Sequence, residues 1–106
     1  MPKYLVRASY TTEGVKGLLK DGGSKRVQVV RDIAKSAGAT LESMYFALGE
    51  DDVYITIDAP DNATLAAISM VTNATGAVKV RTTVLLTPQE MDAATKKSVS
   101  YTPPGR

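Results

Sequence analysis

Four segments of the chain change polarity at every second residue, and what separates them decides how they connect. Lys3 to Tyr10 sets Tyr4, Val6 and Ala8 against Leu5, Arg7 and Ser9. Thr40 to Leu48 sets Met44, Phe46 and Leu48 against Ser43, Tyr45 and Ala47, and Val53 to Asp58 sets Val53, Ile55 and Ile57 against Tyr54, Thr56 and Asp58. Ala77 to Leu86 sets Val78, Val80, Thr82 and Val84 against Lys79, Arg81, Thr83 and Leu85. Successive side chains on a strand point to opposite faces, so each segment predicts a strand with two unlike sides.

The intervening residues predict helices after the first and third strands and a tight turn after the second. Ser24 is placed to cap a helix that buries Val27, Val30, Ile33, Ala34 and Ala37, turns Lys25, Arg26, Gln28, Arg31 and Lys35 to water, and stops at Gly38. Before it, Thr11 to Gly23 carries Val15, Leu18 and Leu19 among the glycines 14, 17, 22 and 23, which predicts one or two loose helical turns. Gly49-Glu50-Asp51-Asp52 predicts a hairpin turn between strands two and three. Ala59-Pro60 ends the third strand, and Asp61 caps a helix that carries Leu65, Ile68 and Val71 inward as far as Gly76. Past the fourth strand, Thr87-Pro88-Gln89-Glu90 is an N-cap, a proline at the first helical position and a capping-box glutamate. They predict a short helix to about Lys97. The order β-α-β-β-α-β predicts an α+β, ferredoxin-like domain with a four-stranded antiparallel sheet over residues 1–97. Residues 98–106, with Pro103-Pro104, predict an extended tail.

Composition removes several function classes. The chain has no Cys and no His. Disulfides, thiolate metal sites, cysteine nucleophiles, histidine ligands and Ser-His chemistry are therefore excluded. A formal net charge of +2 gives no basic stripe for nucleic acid. No apolar run nears the roughly 20 residues that span a bilayer, and Met1-Pro2-Lys3-Tyr4 runs into a strand without a signal-peptide core. The expectation is a cytoplasmic protein without membrane or nucleic-acid partners.

With helices covering one face, the set Val6, Phe46, Ile55 and Val80 belongs in the dry layer, and Arg7, Ser9, Tyr45, Tyr54, Thr56, Asp58, Arg81 and Thr83 point away, with Leu5, Ala47 and Leu85 between them. In the usual ferredoxin-like order the first strand lies between the third and fourth, so Arg7 is expected near both Arg81 and Asp58. Arginines beside tyrosines suit an anionic or planar ligand, because a guanidinium offers forked donors and stacks on aromatic rings. The same pattern also serves a solvated face, or charges that pair across a dimer.

The stretch Tyr45-Phe46-Ala47-Leu48-Gly49-Glu50-Asp51-Asp52-Val53, followed by Asp58-Ala59-Pro60-Asp61, resembles the central segment of GYD-domain proteins. Tyr10-Thr11-Thr12-Glu13-Gly14 with Lys16, the Gly76 to Thr82 stretch and the Tyr101 to Gly105 tail extend the resemblance over nearly the whole chain. Asp51 stands where the family motif has Tyr, while Gly49 and Asp52 are kept. The resemblance implies kinship in fold with dimeric α/β-barrel proteins, whose sheets pack face to face, and implies no general activity and no cofactor.

Gly49 reads as a turn residue with positive φ, and Asp52 as an acceptor of nearby backbone N–H groups. Glu50, Asp51 and Asp52 lack the spaced pattern of a calcium loop, so no metal site is expected. Gly14-Val15-Lys16-Gly17 is no P-loop, yet its N–H groups with Lys16 offer an anion site at the sheet edge, against the plainer reading of a solvated lysine. The tail bearing Tyr101 reads either as a free end or as a segment that docks on a neighbouring subunit.

Three functions follow. The first is a homo-oligomer whose open sheet faces meet and hold a small ligand with Arg7, Lys16, Tyr45, Tyr54, Asp58 and Arg81. The second is a cofactor-independent enzyme, of acid–base or monooxygenase-like chemistry, in the same cavity, with Asp58 as general base and Tyr45 or Tyr54 as proton donor. The third is a purely interacting or structural protein.

Overall fold

The computed structural model describes residues 1–106. Its strands are β1 (Lys3–Tyr10), β2 (Thr40–Phe46), β3 (Val53–Asp58) and β4 (Val78–Leu85). Its helices are α1 (Thr12–Asp21), α2 (Gly23–Ser36), α3 (Asn62–Ala74) and α4 (Pro88–Thr95). All strand pairs are antiparallel, in the order β2-β3-β1-β4, and give the ferredoxin-like layout with one helix added at the C-terminus.

The alternation seen in the sequence is the alternation of burial. Tyr4, Val6, Ala8, Val53, Ile55, Ile57 and Val78 lie buried under α2 and α3, which contribute Ala34 and Leu65. Burying an aliphatic side chain of this size stabilises the fold by about 1.5–3 kcal/mol each. Helix α2 packs chiefly on β2 and α3 on β4. Between them, over the central strands, remains an apolar cavity of about 50 Å³.

Local departures from the expected pattern have local causes. Residues 12–21 form a full helix rather than loose turns, because the Thr11 side chain accepts from the Gly14 N–H and the Thr11 N–H donates to the Ala77 carbonyl at 3.1 Å. That docking needs Gly14, where a Cβ would sit 2.0 Å from the Ala77 oxygen. Gly22, at φ 82°, turns the chain from α1 straight into α2, so α2 starts at Gly23 and not behind a Ser24 cap. Val71 is exposed and Thr72 takes the inward position. Arg26 is half-buried beside Tyr10, whose hydroxyl is pushed up by burial, with the nearby Arg26 charge opposing the shift. Phe46 lies at the rim of the core against Gly23, 42% exposed. Strand β2 carries a bulge between Leu41 and Ser43, with Glu42 as the extra residue. The bulge turns Leu41 toward the core, where strict alternation from Ser43 would have sent it to the open face.

No helix is long and apolar enough to cross a membrane.

Candidate functional site

On the open face the register aligns four side chains into one row that crosses the whole sheet. Tyr45 is opposite Tyr54, Tyr54 opposite Arg7, and Arg7 opposite Arg81. At a strand spacing of roughly 4.8 Å the row is about 14 Å long. Both tyrosines present surface to solvent, Tyr45 at 71%.

Two arginines directly opposite on neighbouring strands repel each other, and the hairpin loop between β2 and β3 supplies the counter-charge. Asp52 anchors that loop. Its N–H donates to the Ala8 carbonyl at 2.8 Å, its carboxylate accepts from the Tyr10 N–H at 2.8 Å, and its carbonyl accepts from the Ala47 N–H at 2.8 Å. The residue before it is thereby swung over β1. Asp51 is only 3% exposed, the sole charged side chain in the buried set. Its Oδ1 accepts from Arg81 Nη2 at 2.7 Å and from the Ser9 hydroxyl at 3.2 Å, and its Oδ2 lies 4.0 Å from Arg7 Nη1. The hydrogen bond from Arg81 is the main force holding the Asp51 carboxyl below the usual carboxylate range, aided by Ser9 and Arg7 against the cost of desolvation. The same bond raises Arg81 above its ordinary value. Arg7 keeps a buried Nε–H without a hydrogen-bond partner.

The remaining sequence candidates lie elsewhere. Asp58 sits opposite Lys3, four residues along β1 from Arg7, which is about 13 Å on an extended strand. It accepts from Lys3 Nζ at 2.9 Å, and Lys3 also bonds Glu42, the bulge residue. Arg7 therefore meets Arg81 as expected but not Asp58. Lys16 is exposed on α1, in the helical layer, and the loop whose N–H groups were to join it is helix. Thr56 is occupied by the Ser43 hydroxyl at 2.6 Å.

Two readings of the hairpin change. Gly49 has no positive φ, so the backbone gives no reason for a glycine there. Asp52 accepts from a backbone N–H far off in sequence rather than from its own turn. The residue missed by sequence reasoning is Asp51, and the signal for it was present. Two arginines in register on one face need an acid within reach, and the hairpin beside them places an acid where the resembled motif has an aromatic residue.

Residues 4–95 match the GYD domain when the chain is compared with known protein families. The chain belongs to the GYD-domain family. No curated protein and no solved structure matches it. In this GYD domain the turn after β2 is more than a connection. One of its acids is bonded to β1 and the next is bonded to an arginine of β4, so the hairpin ties β3 to both strands beyond it.

Proposed function

We propose that this GYD-domain protein is a homo-oligomeric binding protein that takes a small planar anion on the open face of its sheet. The observation that carries this reading is the row Tyr45–Tyr54–Arg7–Arg81 with Asp51 behind it. Of the two guanidiniums, Arg81 is the one that carries the acids of the hairpin, hydrogen-bonded to Asp51 and within the field of Glu50. Arg81 is engaged by Asp51, whereas Arg7 stands 4.0 Å from it with 35% of its side chain open to solvent. An anionic group on Arg7 would lay its planar body on Tyr54 and Tyr45, with Asp51 holding the arginines at a fixed separation. Covering of the open face by a second subunit would exclude water from the row and strengthen each charge-assisted hydrogen bond.

The general-base alternative draws no support from Asp58, which is engaged by Lys3 and stands apart from the row. Asp51 is a poor base, since its carboxyl is held at low pKa.

Titration with benzoate, followed by calorimetry, tests the reading, with benzamide as the uncharged control of equal shape. Benzoate is expected to bind and benzamide to bind at least about tenfold more weakly, because a charge-assisted hydrogen bond contributes roughly 1.5–3 kcal/mol. Arg7→Ala is expected to abolish the difference between the two. Equal affinity for both probes in the unmodified protein, or no binding of either, rejects the anion site and favours the structural role.

A further inference from the structure

The C-terminal residues 87–106 stand off the rest of the chain. A compact chain of this length has a radius of gyration of about 13 Å. This one has 17.0 Å and a longest dimension of 57 Å. Every residue from Leu86 to Thr102 is exposed. The hydrogen bonds of this segment are all internal: the Thr87–Glu90 capping box, Met91 to Thr87, Thr95 to Asp92, Lys96 to Ala93, Lys97 to Ala94 and Arg106 to Pro103. No ion pair joins it to the body.

The sequence nevertheless gives the segment a defined shape. Helix α4 has an N-cap, a proline in its first turn and a full capping box, although at 8 residues it is too short to be stable alone in water. Met91, Val99 and Tyr101 are apolar side chains in the open, Val99 at 81%. Pro103-Pro104 stiffens the end, so that ordering it costs little conformational entropy. A capped helix and a stiff aromatic-bearing tail, with nothing beneath them, need a surface.

We infer that residues 87–106 form an arm that docks on the open sheet face of a second copy of this chain. The inference rests on the homo-oligomer reading above and names the element that makes the contact. Surface and arm are complementary in kind. The open face carries exposed Tyr45 and Tyr54, with Leu5 and Leu85 on the same side, and only another apolar surface can dry them. The face has two guanidiniums, Arg7 and Arg81, around one buried carboxylate, while the acids of the arm, Glu90 and Asp92, are both in α4 and its cations Lys96, Lys97 and Arg106 lie beyond the helix, so it is the helix that suits the arginine end of the row. The arm leaves the edge strand β4 from Leu85, whose side chain is on the open face, and makes no hydrogen bond back to that face. A two-fold exchange therefore covers both faces with both arms. A stable interface takes about 20–30 residues a side, and residues 87–106 supply a large share of that number.

The test is sedimentation velocity on the full chain and on the full-length double variant Val99→Asp, Tyr101→Asp. Both positions are exposed and bond nothing, so the variant's circular dichroism and melting as a monomer are expected to match the original. The full chain is expected to be an oligomer at micromolar concentration, and the double variant to dissociate at least about tenfold more readily. Amide exchange in α4 should slow as the unmodified protein is concentrated. If the variant assembles as tightly as the original, the arm is not the contact, while the sheet-face oligomer stands. If the unmodified chain is a monomer throughout the micromolar range, the oligomer reading falls and this inference falls with it.

Discussion

Strand β1 has an ionic cluster at each end of its open face, and the two differ in every respect that governs strength. At one end Asp51 is buried, accepts from a guanidinium and a hydroxyl, and has a second guanidinium close by. At the other, Lys3 lies between Asp58 and Glu42 with all three side chains about a third exposed or more. Exposed pairs are screened by water and salt and contribute little. A buried carboxylate whose partners remain is costly to disturb, because the charges left behind are uncompensated. The contrast teaches that the hairpin acid, and not the strand acid with the better sequence position, organises the face.

The sharpest way to break this comparison is to neutralise each acid in turn. Asp51→Asn keeps the shape but leaves Arg7 and Arg81 facing each other across neighbouring strands. Its melting temperature should fall by several degrees, the largest effect among these substitutions. Asp58→Asn should change it little. Thermal denaturation at low ionic strength measures both, and equal losses would mean that burial of Asp51 carries no special weight.

Titrating stability separates the clusters from opposite sides. The folded-state pKa of Asp51 is depressed, so its contribution is complete above the unfolded aspartate value of about 3.9 and is lost as pH falls through the lower folded value. Asp61, lowered by its hydrogen bonds to Thr64 at the start of α3, adds to the same acid limb. Lys3 is raised, first by Glu42 and then by Asp58, so its contribution is complete below about pH 10.4 and is lost as pH rises through the higher folded value. Denaturant midpoints against pH should therefore show an acid limb that shrinks in Asp51→Asn. A weaker alkaline limb should shrink in Lys3→Met and fade with added salt.

The fold was legible because alternation and caps are local signals. Thr87 with Glu90, Asp61 with Thr64, and the two-sided strands are visible within a few residues of chain. Two features escape local signals because a distant contact accompanies them. Helix α1 is completed by a carbonyl at Ala77, and the bulge at Glu42 coincides with its bond to Lys3. The site was half legible for the same reason. Strand parity put Arg7, Tyr45, Tyr54 and Arg81 on one face, but parity does not give register, so Asp58 was grouped with side chains four residues away. A loop residue has no parity at all, which is why Asp51 escaped a reading built on strands.

The identity of each cation sharpens the comparison further. Arg81→Lys keeps the charge but loses the planar fork, and a lysine must reach Asp51 with a shorter, more strongly hydrated head. At the exposed end, Lys3→Arg should be neutral, since both side chains reach solvent and acid alike. Chemical denaturation at neutral pH should show a loss for the first exchange and none for the second.

Ser9→Ala gives the smallest and most specific effect. It removes one hydroxyl, at 3.2 Å, from the carboxylate that Arg81 already holds. Because the acceptor keeps its charged donor, only the net worth of one hydrogen bond is lost, about 0.5–1.5 kcal/mol. In the Asp51→Asn background the same substitution should cost less, and the difference in a double-mutant cycle isolates the Ser9–Asp51 bond from everything else that Ser9 touches. Additive losses would show that the hydroxyl acts through the strand and not through the acid, and Asp51 would then owe its low pKa to the arginines alone.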